Sequence, residues 1–368
     1  MKQKFKRVIF LANPFGYGPS SKAITIIDKL RAKWEGEVIY AASNKCLETL
    51  SPQLAKKIKV EKINDRDPYE IAGVLNSYRC SLVVVVLNKV AVETVAKNNL
   101  HCFFVDPLTY LWQNVPESYL KANRYYYFDI FDAQEKVKTI EHSFPLSPIF
   151  GQMDSSFKVK KEKSLVLFHV GGFSNPLVEG INEFYLNILA KVVNEIKEKK
   201  VVVAGGKSAI DYLKGRTKHS VQLGSYGHDR FLEILSKCEH FLTTAGMAAT
   251  FEAFNLRVPV FFLPSNNLSQ WKQSNFFNEK AKVPKLEWNL ILNRKISLDG
   301  LTEKEGIKKI RQLSKIADQS EVTVKKVVDK VKTFVNNNHR LTYQNKYLEK
   351  VGTQGTDKLV KDILKKLS

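Results

Sequence analysis

Cysteine is scarce and scattered. Cys46, Cys80, Cys102 and Cys238 are the four in 368 residues; no two form a C-x-x-C pair and none has histidine at ligand spacing. That pattern excludes a disulfide framework and a zinc site, and buried, reduced thiols are expected. Long apolar runs are also missing. The run from Cys80 to Leu87 is far short of the roughly 20 residues a membrane helix needs. Val8–Ala12, behind the basic residues Lys2, Lys4, Lys6 and Arg7, is shorter than the apolar part of a signal peptide. A cytoplasmic protein is the expectation. Acidic residues are outnumbered, 37 against 58 Lys and Arg, leaving a net charge of +21. Such a chain suits polyanionic partners: nucleic acid, an anionic membrane surface or nucleotide phosphates. Internal repeats, low-complexity tracts, a P-loop and G-x-G-x-x-G are absent as well.

What is present is enough apolar residue, 44% against 26% charged, to order a globular chain. At about 150 residues per domain the length implies two domains. Apolar runs alternate with helical spacings from the start, the pattern of βαβ units around a parallel sheet. In the first half the expected strands are Val8–Ala12, Val38–Ala42, Val60–Ile63, Leu82–Leu87 and Cys102–Val105, with another over Tyr125–Phe131. Their lack of polar alternation suits strands buried on both faces. Ser21–Trp34, Pro68–Tyr78 and Val90–Asn98 carry helical spacing, as in Ile24, Ile27 and Leu30.

The stretch from Phe144 to Ser156 collects Pro, Gly and Ser and reads as a linker. Beyond it the rhythm restarts. Strands are expected at Leu165–Val170, Val201–Ala204, Val221–Leu223, His240–Thr244 and Val258–Leu263, with helices at Tyr185–Glu198, Ser208–Leu213 and Asp229–Lys237 and a short one ending near Asn255. From Thr302 the chain reads as helices, and residues 322–368 hold 11 Lys and Arg against 4 Asp and Glu. The expected fold class is α/β: two Rossmann-like domains, residues 1–150 and 151–368, facing a central cleft, with the last helices able to cross back and brace the first. Ligands of such sheets bind outside the carboxyl ends of the strands.

The most informative stretch runs from Thr243 to Asn275. A strand ends at Thr243-Thr244, Ala245 and Gly246 make a tight turn, and a helix begins at Met247 whose free N–H groups and dipole suit a diphosphate. Glu252 lies six residues past Gly246, about 9 Å along the axis, where a carboxylate can accept ribose hydroxyls. Gln270, expected in the loop after the next strand, has an amide suited to sugar hydroxyls. Gly171 and Gly172 open the loop after the second domain's first strand, followed by the turn Asn175-Pro176, and Gly205-Gly206-Lys207 repeats the arrangement with an ammonium. His228 stands before a helix in Ser225-Tyr-Gly-His228. In the first domain, Val8–Ala12 runs into Phe15-Gly16-Tyr17-Gly18-Pro19, where two glycines let the backbone wrap a ligand and Ser20, Ser21 and Lys22 offer donors. Pro19 occupies a favoured early helical position. Asp106, before Pro107, is placed for general-base work at the end of its strand, or simply caps a turn. Tyr110 and Trp112 stack an acceptor or pack the core. Each of these junctions also has a plain reading as an ordinary βα turn.

The Thr243–Asn275 stretch resembles the nucleotide-sugar signature of GT-B glycosyltransferases, in which Gly, a helix with Glu, G-x-P and a downstream Gln recur in this order; here Asn255-Leu-Arg257 precedes Pro259, where a small residue and Gly are usual. Within that fold, Phe15-Gly-Tyr-Gly-Pro-Ser-Ser-Lys22, the segment from His169 to Pro176 and Phe262-Leu-Pro-Ser-Asn-Asn-Leu-Ser-Gln270 resemble the cytosylglucuronic acid synthase family. The resemblance implies a metal-independent transfer of sugar without a bound cofactor, the nucleotide sugar being substrate. Gly171, Gly172, Lys207, His228, Thr244, Gly246, Met247, Glu252 and Gln270 would bind the donor. Gly16, Tyr17, Gly18, Tyr110 and Trp112 would bind a small acceptor such as a pyrimidine base or nucleoside, with Asp106 as base. A nucleotide-sugar epimerase or hydrolase of the same fold, and a basic nucleic-acid-binding protein with a vestigial pocket, are the alternatives.

Overall fold

The computed structural model describes residues 6–153, 160–171, 173, 177–197 and 199–368. Gly172, Asn175, Pro176, Glu198 and residues 154–159, the first three of these six the end of the expected linker, lie outside them. The chain divides into two compact units: Met1–Gly151 together with Glu349–Ser368, and Gln152–Leu348.

The first unit is built on seven parallel strands, β1 (Arg7–Ala12), β2 (Glu37–Ala42), β3 (Lys59–Lys62), β4 (Leu82–Val86), β5 (Cys102–Asp106), β6 (Arg124–Phe128) and β7 (Ser143–Leu146), in the order β3-β2-β1-β4-β5-β6-β7. Every residue of β4 and β5 is buried, which accounts for their unbroken apolar runs. The chain begins in the middle of the sheet and turns back at β1 and β4, which pair in register from Val8 with Leu82 to Ala12 with Val86. This reversal is the switch point at which doubly wound sheets open for a ligand.

Local signals set the connecting helices. Gly18–Arg31 has Pro19 in its first turn. Pro68–Tyr78 follows Asp67, whose carboxylate accepts the Tyr69 amide at 2.8 Å, and Asn88 caps Lys89–Lys97 by accepting the Ala91 amide. β6 stops at Phe128 rather than Phe131 because Phe131 and Asp132 take left-handed backbone angles, which no strand can include.

The second unit holds five parallel strands, β8 (Leu165–Val170), β9 (Lys200–Gly205), β10 (Val221–Gly224), β11 (His240–Thr244) and β12 (Val260–Leu263), in the order β10-β9-β8-β11-β12. Its switch point lies between β8 and β11. One face packs on Glu183–Asn194 and, beyond it, on the helices Glu303–Asp318 and Glu321–Val335, sharing a core that runs from Val166 and Phe168 to Ile310, Val327 and Val331. Thr302 and Glu305 close a reciprocal capping box at the start of the first of these two helices. The opposite side carries an aromatic cluster in which Phe251, Phe254, Phe277 and Tyr347 meet edge to face or stacked.

Three expectations need correction. Part of the supposed linker is β7, paired with β6 from Ser143 opposite Tyr125 to Leu146 opposite Phe128. Its Pro145 is tolerated because the strand is at the sheet's edge. The segment after β12 is a helix, Leu268–Ala281, started by Asn267. The second domain does not run to residue 368: the last helix, Gly355–Leu367, packs on Gly18–Arg31, β4 and β7 of the first unit. Leu359, Val360 and Ile363 are buried there, Asp357 pairs with Lys29 and Lys33, and Asp362 accepts the Tyr126 hydroxyl at 2.9 Å.

Candidate functional site

The carboxyl edge of the second sheet gathers most of the residues singled out as donor-binding. β11 ends at Thr244, Gly246 stands extended as the N-cap, and Met247–Asn255 begins with no side chain capping it and no acidic residue in its first turn. The amides of that turn are therefore left for an anion, with the helix dipole behind them. Glu252, in the second turn, is 2% exposed. Its Oε1 lies 2.8 Å from Nε2 of His228, the first residue of helix His228–Lys237. Two residues chosen from separate segments thus meet, and a buried carboxylate needs such a partner.

Thr244 and Gly171 are stitched together from a third segment. Thr244 Oγ1 donates to the Gly171 carbonyl at 3.2 Å, and Gln270 Nε2 donates to the same carbonyl at 3.0 Å and to Thr244 Oγ1 at 3.2 Å. Gln270 Oε1 in turn accepts the Asn266 amide. Gln270 is therefore not a loop residue with its amide turned to sugar hydroxyls. It is buried in the first turn of Leu268–Ala281, and both amide hydrogens are taken by the protein's own oxygens. The preceding loop is held equally firmly, since Tyr185 donates to the Pro264 carbonyl at 2.6 Å and Trp288 to that of Ser265 at 2.8 Å. Lys207 is exposed at the start of Lys207–Leu213 and takes no part in the network.

His169, which the residue-by-residue reading leaves without a role, joins the site. Its Nδ1 lies 3.1 Å from Thr243 Oγ1, its ring packs against Phe231 and Phe241, and burial pushes its pKa from 6.5 down to about 4. The available signal was one polar residue within the apolar run Leu165–Val170.

In the first unit the expected roles change. Asp106 is fully buried. It accepts the Leu108 amide at 2.8 Å, the Trp112 indole N–H at 2.7 Å and the Tyr125 hydroxyl. Burial raises its pKa while these bonds oppose the rise. A general base needs an oxygen facing substrate, and here both oxygens face the protein, so the turn-forming reading is the one the geometry supports. Trp112 is tied to Asp106 and packs near Tyr119; Tyr110 is buried edge-on to Phe131. Tyr110 thus belongs to packing, while Trp112, held by Asp106, stays part-exposed.

The loop at Gly16, Tyr17 and Gly18 is different. Gly16 has φ +67°, and the Tyr17 hydroxyl donates to Glu48 at 2.6 Å. The Lys22 side chain is buried, its ammonium 5.8 Å from the centre of the Phe128 ring. A D-x-D motif, whose absence the metal-independent reading assumes, is present in the sequence as Asp65-Arg66-Asp67. Asp67 is spent on its helix cap, and Asp65 is buried and accepts the Ser43 amide. No group of three or more potential metal ligands occurs among the described residues, and no helix among them is long and apolar enough to cross a membrane.

No protein-family model matches the chain, and no curated protein does. Solved structures do. Spinosyn rhamnosyltransferase SpnG aligns over 98% of this chain and 99% of its own, with TM-score 0.62 and 11% identity. Os79 from O. sativa in complex with UDP aligns over 98% and 100%, with TM-score 0.59 and 11% identity. UGT2 of Phytolacca americana, complexed with UDP-2fluoro-glucose and pterostilbene, aligns over 94% and 98%, with TM-score 0.51 and 15% identity. At these identities the likeness concerns the fold, and the two parallel sheets of this chain have the GT-B fold.

Proposed function

We propose that the chain is a nucleotide-sugar-dependent glycosyltransferase whose second unit holds the donor. The observation that carries this reading is the junction of β11 with its helix: free N–H groups at Met247 and the residues after it for a diphosphate, and Glu252, fixed by His228, for the ribose. Solved proteins of the same fold, among them a rhamnosyltransferase and proteins in complex with UDP or a UDP sugar, support it. As the sugar–phosphate bond breaks, negative charge grows on the leaving diphosphate. Preorganised amides and a helix dipole stabilise that charge without reorganising, so the mechanism in this reading is metal-independent. The acceptor is a small molecule. A nucleobase or nucleoside rests on motif resemblance alone and gains nothing from the buried ring of Tyr110.

The test is a thermal-shift series with nucleoside diphosphates and nucleotide sugars, since a ligand at a hundredfold excess over its Kd adds about 2.7 kcal/mol to apparent stability. At least one should raise the melting temperature of the wild type. Glu252→Gln should melt as a folded protein yet weaken that ligand by about 1.5–3 kcal/mol. Release of nucleoside diphosphate without an acceptor would point to a hydrolase of the same fold. Absence of any nucleotide effect, together with nucleic-acid binding of steep salt dependence, would sink the enzyme reading.

A further inference from the structure

β8 is apolar at every position except His169. A polar ring in such a strand needs a partner, and Thr243 Oγ1, on the register-matched residue of β11, supplies it through Nδ1. The direction of that bond follows from counting hydrogens. Thr243 has one hydroxyl hydrogen, and its Oγ1 lies 2.8 Å from the Thr244 carbonyl oxygen, an approach two oxygens make only with a hydrogen between them. Oγ1 therefore accepts from the imidazole, Nδ1 carries the ring hydrogen, and Nε2 presents a lone pair. The low pKa of the ring keeps it in this neutral form at pH 7.

The position of Nε2 connects it with the donor site. The ring centre is 4.9 Å from that of Phe231, one turn beyond His228 on the same helix face, and the charge of Glu252 is felt at the imidazole. Gly171 passes so close that a Cβ there would lie 3.1 Å from Cε1 and 3.6 Å from Nε2. No described residue forms a hydrogen bond with Nε2.

We infer that His169 Nε2 is a second acceptor of the donor site, taking one ribose hydroxyl while Glu252 takes the other, so that the site prefers ribonucleoside diphosphates to their 2′-deoxy counterparts. This rests on the donor-site reading given above. A lone-pair nitrogen attracts a hydroxyl hydrogen and repels a phosphate oxygen, which assigns it to the sugar of the nucleoside rather than to the diphosphate. A 2′-deoxy nucleotide leaves one of the two acceptors without a hydrogen, the situation in which polar sites discriminate most strongly.

Calorimetric titration of the full chain at pH 7.5 tests it, using the tightest of UDP, CDP, ADP and GDP against its 2′-deoxy form. The wild type should prefer the ribonucleotide about tenfold or more. His169→Asn keeps an N–H for Thr243 but removes the acceptor at the Nε2 position, and should lose that preference by weakening the ribonucleotide alone. His169→Gln, which can place an oxygen near Nε2, should retain most of it. An Asn variant with the preference intact, or one that weakens both nucleotides equally, overturns the inference while the donor reading stands on wild-type binding and its loss in Glu252→Gln. If the wild type binds no nucleoside diphosphate, the donor reading falls and the inference with it.

Discussion

Asp106 receives an amide, an indole and a phenol without reaching solvent, so its contribution is to stability. Asp106→Asn sets an amide N–H against those donors and should cost about 2–4 kcal/mol in urea unfolding, with nucleotide binding unchanged. Full stability together with abolished sugar transfer would restore the catalytic role. His169 gives a pH signature. Its pKa is about 4 when folded and near 6.5 when exposed, so between those values only the unfolded chain binds the proton. Stability is complete above about pH 6.5 and falls by up to about 3 kcal/mol as pH drops toward 4. His169→Gln should flatten that part of the profile, and a variant with the same slope as the wild type would show that another group titrates. Glu252 is legible in the sequence because a strand, a glycine and a helix with a carboxylate six residues on form a local pattern. Its bond to His228 is not legible, since it depends on how two helices pack. Asp106 misleads because Asp-Pro at a strand end reads the same whether the carboxylate faces outward or is drawn in by an indole six residues later.

At the scale of elements, the central strands are readable because burial on both faces leaves runs such as Leu82–Val86 without a polar residue. β7 escapes because an edge strand can carry Pro145 and half-exposed positions, which locally resemble a linker. Leu268–Ala281 escapes because its first turn, Leu-Ser-Gln, is buried by contacts with Gly171, Thr244 and Glu303 that no periodicity records. The last helix depends on a close approach: at Gly355 a Cβ would collide with the Ser147 carbonyl oxygen, backbone against backbone. Gly355→Ala should therefore destabilise by about 1–3 kcal/mol despite alanine's better helix propensity. A melting temperature at or above that of the wild type would mean the helix can shift away without loss. Thr302→Ala, which breaks a capping box, should cost about 1 kcal/mol.

For the whole molecule, the second unit is continuous in sequence and the first is not. A fragment of residues 152–351 contains the complete five-stranded sheet and every described residue of the candidate donor site. It should unfold cooperatively and bind the same nucleoside diphosphate as the full chain. A folded fragment that fails to bind would show that the donor site needs the first unit. A fragment of residues 1–151 should instead be poorly soluble, because it leaves bare the surface that Leu359, Val360 and Ile363 cover. The same arrangement orders events during synthesis. The seven-stranded sheet emerges first but cannot be finished until the chain's last helix leaves the ribosome, about 200 residues and, at 5–20 residues per second, roughly 10–40 s later. During that interval the second unit can complete itself while the first waits with apolar surface open to chaperones or to neighbouring chains, so a stop codon just before Gly355 would damage the half made earliest.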